Sequence, residues 1–332
     1  MREHGGDLAG AARDYGIAQE RWLDLSTGIN PHGYPVSPVP PQAWRRLPSD
    51  DAALASAAAE YYGTDALLPV AGTQAAIQAL PRLRQRSRVL LPALTYNEYA
   101  HAWRRHGHEV CTAPLNAYDE QLAQADVLVV CNPNNPTAER IAPQRLLAWQ
   151  AALAARGGWL VVDEAYLDAT PEESVARFAD RPGLIVLRSA GKFFGLAGAR
   201  VGFACAQPTL LDALREELGP WTVSGPAQFA VRAALRDRPW QARTRIELAQ
   251  SAVRLQSLLA GAGVVARGTA LFLWWQHERA PVLHEALARE AVLTRVFRDV
   301  RPAGIRIGLP GAEEEWARLD RALARWKDRQ CA

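Results

Sequence analysis

Lysine is almost absent from this chain of 332 residues: of its 38 basic side chains, only Lys192 and Lys327 are lysines. Lys327 lies in a polar tail, whereas Lys192 lies in an apolar, glycine-rich stretch that runs from Ser189 to Gly202. Arginine cannot replace lysine where a reaction needs a deprotonated amine, because the pKa of its guanidinium is too high. Lys192 is therefore a candidate Schiff-base former, although by itself it also fits a chance surface lysine.

A carboxylate and a phenol follow a strand-like run. Residues 159–162 are apolar, Asp163 comes next, and Tyr166 follows three positions later. A carboxylate at the end of a buried strand needs a cationic partner, or its pKa shifts. A protonated pyridine nitrogen is one such partner. The alternative interpretation is that Asp163 is an ordinary helix N-cap.

Further polar groups have the spacing of a phosphate site and an amide donor. Gly72, Thr73 and Gln74 stand between an apolar stretch and a predicted helix, where free backbone N–H groups can bind an anion. Ser189 and Arg200 flank Lys192 and offer a hydroxyl and a guanidinium to the same anion. The turn at residues 132–137, rich in asparagine and proline, follows another apolar run and contains amide donors.

Together these groups supply what pyridoxal 5′-phosphate requires: an imine-forming amine, a partner for the ring nitrogen, donors to O3′ and a phosphate site. The glycine motifs of dinucleotide-binding and P-loop proteins do not occur in the sequence.

Alternating strand-like and helical segments must position these groups. Apolar runs at 89–91, 127–131, 159–162, 184–187 and 201–206 predict buried strands. Helical patterns between them end at Gly63, Gly107 and Gly157, and they occupy residues 50–62, 73–80, 97–106 and 143–156. This alternation predicts an α/β fold with a mostly parallel sheet, whose ligands bind at the carboxyl ends of the strands.

The ends of the chain have a different character. Residues 1–40 are rich in glycine and proline and predict an extended arm. Helical patterns at 227–236 and 240–260 precede a smaller αβ pattern from 271 to 326. We therefore expect a large domain at 41–225 and a small domain at 226–332, which the arm at 1–40 joins.

Composition excludes several functions. A net charge of +3 with scattered arginines argues against nucleic-acid binding, and no apolar run approaches the length of a membrane span. The histidines and the four cysteines lack metal-site spacing, so we expect no metal. Without a secretory signal at the start, a reducing cytoplasm is the expected location.

The order of the motifs resembles the fold-type I pyridoxal-phosphate enzymes of the aminotransferase class I/II superfamily. The resemblance implies that Lys192 binds the cofactor covalently, that Asp163 holds the ring nitrogen protonated, and that Asn135 and Tyr166 bind O3′. It implies a stacking ring in the segment 95–99, with Tyr96 favoured over Tyr99, a substrate-carboxylate contact at Arg306, and a homodimer. The implied phosphate ligands are Gly72, Thr73, Gln74, Ser189 and Arg200.

Within that superfamily the first 40 residues resemble those of the L-threonine-O-3-phosphate decarboxylases of cobalamin biosynthesis. The motifs at residues 4–12 and 24–35 carry this resemblance, and residues 293–298 fit the same group. This resemblance implies a small-molecule substrate, O-phospho-L-threonine, with Gly28 and Asn135 among its contacts. We expect Arg295 and His4 to anchor the substrate phosphate, with Arg298 behind them.

Two other functions stay open at this point. An aminotransferase for a phosphorylated substrate, such as histidinol phosphate, shares every cofactor residue. A non-catalytic binding protein has no need of Lys192. The chain also departs from the superfamily at three places: a tyrosine is absent near Leu47, Ala138 replaces a glycine, and Leu94 replaces a proline.

Overall fold

The computed structural model of the chain describes residues 4–49 and 52–331. In chain order the strands are β1 (Leu23–Asp24), β2 (Leu67–Val70), β3 (Arg88–Pro92), β4 (Glu109–Ala113), β5 (Val127–Cys131), β6 (Trp159–Asp163), β7 (Leu184–Ser189), β8 (Gly202–Cys205), β9 (Arg267–Gly268), β10 (Phe272–Gln276), β11 (Val292–Leu293), β12 (Arg295–Phe297) and β13 (Gly304–Gly308). The α-helices are α1 (Leu8–Tyr15), α2 (Pro41–Arg45), α3 (Ala52–Tyr62), α4 (Thr73–Ala79), α5 (Asn97–Arg105), α6 (Tyr118–Gln121), α7 (Pro143–Ala154), α8 (Pro208–Leu218), α9 (Gly225–Arg236), α10 (Arg238–Gly261), α11 (Ala280–Arg289) and α12 (Glu313–Cys331). Short 3-10 helices occupy Gln19–Arg21, Leu80–Leu83, Leu115–Ala117, Leu122–Gln124, Pro171–Glu173, Ala176–Phe178 and Ala197–Ala199.

The described residues divide into two compact units. One takes those of 1–32, 136–138 and 242–332, and the other takes those of 33–135 and 139–241. The domain boundaries expected from the sequence, at residues 40 and 225, stay predictions.

The second unit is built on a seven-stranded sheet of order β2-β8-β7-β6-β5-β3-β4. Strands β4, β3, β5, β6 and β7 are parallel, and β8 runs antiparallel to both of its neighbours. Every residue of β5 and β7 is buried, as expected for strands that helices cover on both faces. The prediction of an α/β fold with a mostly parallel sheet is therefore confirmed.

The strand and helix predictions for this unit hold with small shifts at the ends. Glycines 63, 107 and 157 follow their helices with positive φ. Residues 50 and 51 of the predicted helix 50–62 lie outside the described residues, and α3 is described from Ala52. Strands β2 and β4 have no counterpart in the sequence prediction; β4 keeps only one buried residue, so its apolar pattern is weak.

The first unit contains an antiparallel sheet of order β12-β13-β10-β9 and a parallel pair of β1 with β11. The N-terminal residues are not wholly extended as expected, because α1 forms there. Asp7 caps this helix by accepting a hydrogen bond from the Gly10 N–H at 2.8 Å. The helix packs Ala11 against Trp22 and Ala288, which anchors it to α11.

Among the described helices, we find none with the length and apolar character needed to cross a bilayer.

Candidate active site

The predicted cofactor residues meet at the carboxyl edge of the large sheet. Asp163, the last residue of β6, pairs with Cys131 at the end of β5, and Ser189 ends β7. Loops that follow parallel strands emerge at one edge, which is why residues far apart in sequence converge. The residues that line this pocket include every cofactor residue expected from the sequence: Gly72, Thr73, Gln74, Tyr96, Asn135, Asp163, Tyr166, Ser189, Lys192 and Arg200.

Asp163 is a buried carboxyl that the protein holds at both oxygens. The Tyr99 hydroxyl donates to Oδ2 at 2.7 Å, and the Ala165 N–H donates to Oδ1 at 2.9 Å. Burial raises the pKa of Asp163, whereas these two hydrogen bonds and the nearby charge of Lys192 act in the opposite direction. A cation in the pocket would therefore stabilise the ionised carboxylate further.

Lys192 projects from a loop that aromatic side chains fix in place. Its Nζ lies 5.6 Å from the centre of the Tyr166 ring, and Tyr166 is buried. The next two residues, Phe193 and Phe194, are fully buried, and each ring lies 5.7 Å from that of Trp240. This packing holds the lysine amine in the same pocket as the Asp163 carboxylate.

Small residues next to Arg200 form another part of the pocket wall. Gly72 has a φ of +73°, and a Cβ at this position would lie 2.9 Å from Nη2 of Arg200. A Cβ on Gly202 would lie 2.6 Å from the Thr73 nitrogen. Glycine at both positions therefore lets a guanidinium and the start of α4 line one concave surface, where an anion can bind.

Tyr96 lines the pocket, and a chain of hydrogen bonds holds its hydroxyl. Its hydroxyl donates to Oε1 of Gln74 at 3.1 Å, and Nε2 of Gln74 donates to Glu98 at 3.0 Å. Burial, followed by the charge of Glu98, raises the pKa of the Tyr96 phenol. The ring is thus held by its hydroxyl and stays neutral at physiological pH.

The three asparagines of the turn after β5 have different tasks. Asn132 exchanges two hydrogen bonds with the backbone of Ile141, and Asn134 accepts from Thr95 at 2.9 Å. These contacts brace the loop from within. Asn135 is the asparagine that lines the pocket.

The predicted substrate residues other than Asn135 lie in the first unit. Arg306 is buried on β13, and its Nη2 donates to the Ser26 carbonyl oxygen. Arg295 on β12 is the antiparallel register partner of Arg306. Gly28 is buried, with a φ of +65°, while His4 and Arg298 are exposed.

The sequence indicated Tyr99 only as the less favoured stacking ring, and it did not indicate Ser26 as a site residue. Tyr99 lies on α5, Tyr96 is the residue just before this helix, and the two rings meet edge to face with their centres 5.5 Å apart. Ser26 gave no signal, because its contact with Arg306 spans 280 positions of the chain.

Comparisons with known proteins agree with the geometry. A family model described as "Aminotransferase class I and II" matches residues 42–325. A threonine-phosphate decarboxylase of Pseudomonas aeruginosa is 52% identical over 99% of both chains, and one of Sinorhizobium sp. is 45% identical over 97% of both. Among solved structures, the histidinol-phosphate aminotransferase of Sinorhizobium meliloti in complex with pyridoxal-5′-phosphate superposes with a TM-score of 0.82 at 21% identity, covering 100% of this chain and 96% of its own. The resemblance inferred from the motifs is therefore confirmed, and the last comparison shows the shared fold.

Proposed function

The chain belongs to the aminotransferase class I and II family, and we propose that it decarboxylates O-phospho-L-threonine with pyridoxal 5′-phosphate as its cofactor. The products are (R)-1-amino-2-propanol O-2-phosphate and CO₂, a step of cobalamin biosynthesis. The observation that carries the cofactor assignment is that the Lys192 amine and the Asp163 carboxylate line the same pocket. The choice of decarboxylation rests on the relatives that are 52% and 45% identical over nearly the full length.

The residues present fit this cofactor on two structural grounds. Asp163 is a buried carboxyl whose pKa burial raises, so a protonated pyridine nitrogen would offset a real cost. Gly72 leaves open the space that a Cβ would fill beside the Arg200 guanidinium. Without a Cβ at this position the guanidinium is open to an anionic group, and a phosphate has the charge that pairs with it.

Each pocket residue then has a definite task. Lys192 would bind the cofactor covalently, Asp163 would pair with the ring nitrogen, and Tyr96 would pack on the ring. Asn135 and Tyr166 would bind O3′. The phosphate would be held by Gly72, Thr73, Gln74, Ser189 and Arg200. When bound, the cofactor supplies an electron sink for the electron pair that the departing CO₂ leaves behind.

Lys192 also has a task in proton transfer. Decarboxylation replaces the bond from Cα to the carboxylate by a bond from Cα to hydrogen, so one proton must reach Cα. The amine of Lys192 is positioned in the pocket by the buried Phe193 and Phe194, and we assign it as the proton donor.

The substrate residues decide which bond breaks. We assign the substrate carboxylate to Arg306, with the backbone of Gly28 and the amide of Asn135 as further contacts. Arg295 and His4 hold the phosphate, and Arg298 adds positive charge behind them. Anchoring both ends of the substrate fixes its rotation, and rotation selects the bond that is cleaved.

The test is a reaction without any keto acid. Protein loaded with pyridoxal 5′-phosphate is mixed with O-phospho-L-threonine, and CO₂ and aminopropanol phosphate are measured over many turnovers. Steady release of both is expected, and Lys192→Ala should abolish it together with the visible absorbance of the lysine-bound cofactor. Conversion of the cofactor to its amine form without CO₂ would assign the protein to the aminotransferases instead.

We propose further that the enzyme is a cytoplasmic homodimer. Trp44, Leu47 and Trp221 are 69%, 70% and 59% exposed, and apolar side chains of this size are typical of an interface. The free thiols Cys111, Cys131 and Cys205 suit a reducing compartment. Light scattering should give twice the chain mass, and Trp221→Arg should lower it; a monomeric wild type would contradict the dimer.

A further inference from the structure

Ser26 is the centre of a hydrogen-bonded chain in the first unit. Its carbonyl oxygen accepts from the Arg306 guanidinium, and its hydroxyl accepts from the Gly6 N–H at 2.7 Å. The same hydroxyl donates to Oδ1 of Asp24 at 2.5 Å, and the Ser26 N–H donates to that oxygen at 2.8 Å. Ser26 is 1% exposed, so water does not compete for these bonds.

The direction of each bond follows from the single hydroxyl proton of serine. Asp24, as a carboxylate, accepts the hydrogen bond from the Ser26 hydroxyl, which leaves the lone pairs of Oγ for the Gly6 N–H. Asp24 therefore turns these lone pairs toward Gly6, and by accepting from the Ser26 N–H it also fixes the backbone whose carbonyl accepts from Arg306. One carboxylate thus sets both the N-terminal segment, which we define as residues 4–6, and the arginine.

The N-terminal segment lies directly against this junction. A Cβ at Gly5 would overlap the Ser26 carbonyl oxygen, the same atom that accepts from Arg306. Beyond the segment, Tyr15 of α1 donates to Glu285 of α11 at 2.7 Å. The far end is therefore anchored on α11, while the position of the segment itself depends on Ser26.

We propose that Ser26 is a positioning residue that couples Arg306 to the N-terminal segment. Order at either end then stabilises the other, so that a substrate carboxylate on Arg306 favours the position of the segment that carries His4. The involvement of substrate rests on the proposed decarboxylase function, whereas the coupling itself is a property of the folded chain. Coupling of this kind is reciprocal, and it can be measured from either end.

The first experiment measures coupling without substrate. Hydrogen exchange of the Gly6 N–H is followed in the cofactor-loaded wild type, Ser26→Ala and Arg306→Gln proteins. Exchange should be about tenfold faster in Ser26→Ala, because the acceptor is lost, and about threefold faster in Arg306→Gln, which keeps the Ser26 hydroxyl that accepts from the Gly6 N–H. Exchange at the wild-type rate in Arg306→Gln would overturn the coupling.

The second experiment measures its effect on catalysis. Ser26→Ala should raise KM for O-phospho-L-threonine about tenfold with kcat changed less than about twofold, and Ser26→Thr, which keeps the hydroxyl, should recover most of the loss. Ser87→Ala is the matched control: it is a buried serine of the other unit whose hydroxyl also bonds within its own loop. It should change neither KM nor the exchange of Gly6.

The outcomes separate the two proposals. A wild-type protein that releases no CO₂ would remove the decarboxylase function and leave the exchange measurements to decide the coupling. Unchanged KM and unchanged exchange in Ser26→Ala would remove the role of Ser26. If Ser26→Ala fails to fold, Ser26→Thr and Arg306→Gln still give the exchange result.

Discussion

Arg295 on β12 stands directly opposite Arg306 on β13 in the antiparallel register. Side chains at such positions share a face of the sheet and lie close together, so two guanidinium groups there repel each other. Each is also placed over an aromatic ring, Arg295 over Phe297 at 4.9 Å and Arg306 over Phe272 at 5.4 Å. A substrate with two anionic groups, a carboxylate and a phosphate, matches this pair of cations.

The pair predicts a difference between two single substitutions. Arg295→Gln should lower kcat/KM for O-phospho-L-threonine about 10- to 100-fold, because one charge-assisted hydrogen bond is worth about 1.5–3 kcal/mol. It should have little effect on kcat/KM for L-threonine, which has no phosphate. Arg306→Gln should lower kcat/KM for both compounds, and steady-state rates with the two substrates give the comparison. Equal losses in Arg295→Gln for both compounds would contradict the assignment of Arg295 to the phosphate.

Tyr99 predicts a change in cofactor affinity. Tyr99→Phe removes the hydroxyl that donates to Asp163, and this hydrogen bond acts to lower the pKa of the carboxyl. The ionised form that pairs with the ring nitrogen is then less favoured, so the dissociation constant of pyridoxal 5′-phosphate should rise about tenfold, in line with about 1.4 kcal/mol. Titration of the cofactor-free protein by absorbance measures it.

Tyr118→Phe is the matched control for this substitution. Tyr118 is fully buried in the same unit, and within the described residues its hydroxyl has no hydrogen-bond partner. Its replacement should leave the cofactor affinity unchanged and the stability equal or slightly higher. An equal loss of affinity in both variants would show that the effect of Tyr99 is one of packing.

The cofactor pocket could be predicted because its groups lie in short segments that follow strands. Asp163 ends β6, Asn135 and Lys192 come soon after β5 and β7, and the ends of parallel strands meet at one edge. The geometry of a sheet thus converts three local patterns into one site. The hydrogen bond from Tyr99 to Asp163 joins residues 64 positions apart, and no local pattern encodes it.

The first 40 residues show the opposite case. The glycines and prolines of residues 1–40 predict an extended chain, yet Asp7 and the alanines after it form the capped helix α1. Composition averaged over 40 residues concealed a run of eight residues in which Leu8, three alanines and Arg13 favour a helix. The contact of Ser26 with Arg306 depends on the pairing of β1 with β11, which tertiary structure alone determines.

Asp163 predicts a dependence of stability on pH in the cofactor-free protein. A carboxyl whose pKa is higher in the folded chain than in the unfolded chain contributes stability at low pH, and this contribution is lost as the pH rises through the folded pKa. Asp163→Asn has no such loss. The free energy of urea unfolding should therefore be higher in Asp163→Asn than in the wild type at about pH 7, and the difference should shrink toward the unfolded pKa of about 3.9. A difference that grows toward acid pH would contradict the raised pKa.

A buried ion network behind the cofactor pocket predicts a large stability effect. Arg188 donates to Glu164 and to Asp168 at 2.6 Å each, and all three side chains are at most 1% exposed. Burial alone would lower the pKa of Arg188, but Asp168 and Glu164 raise it well above its ordinary value. Arg188→Met leaves two buried carboxylates without their cation, which should lower the free energy of unfolding by about 3–5 kcal/mol in urea titrations. The triple variant Arg188→Met, Glu164→Gln and Asp168→Asn should recover most of this loss, because it leaves no buried charge without a partner. A triple variant as unstable as Arg188→Met would show that the shape of these side chains, rather than their charge balance, stabilises the sheet next to Asp163.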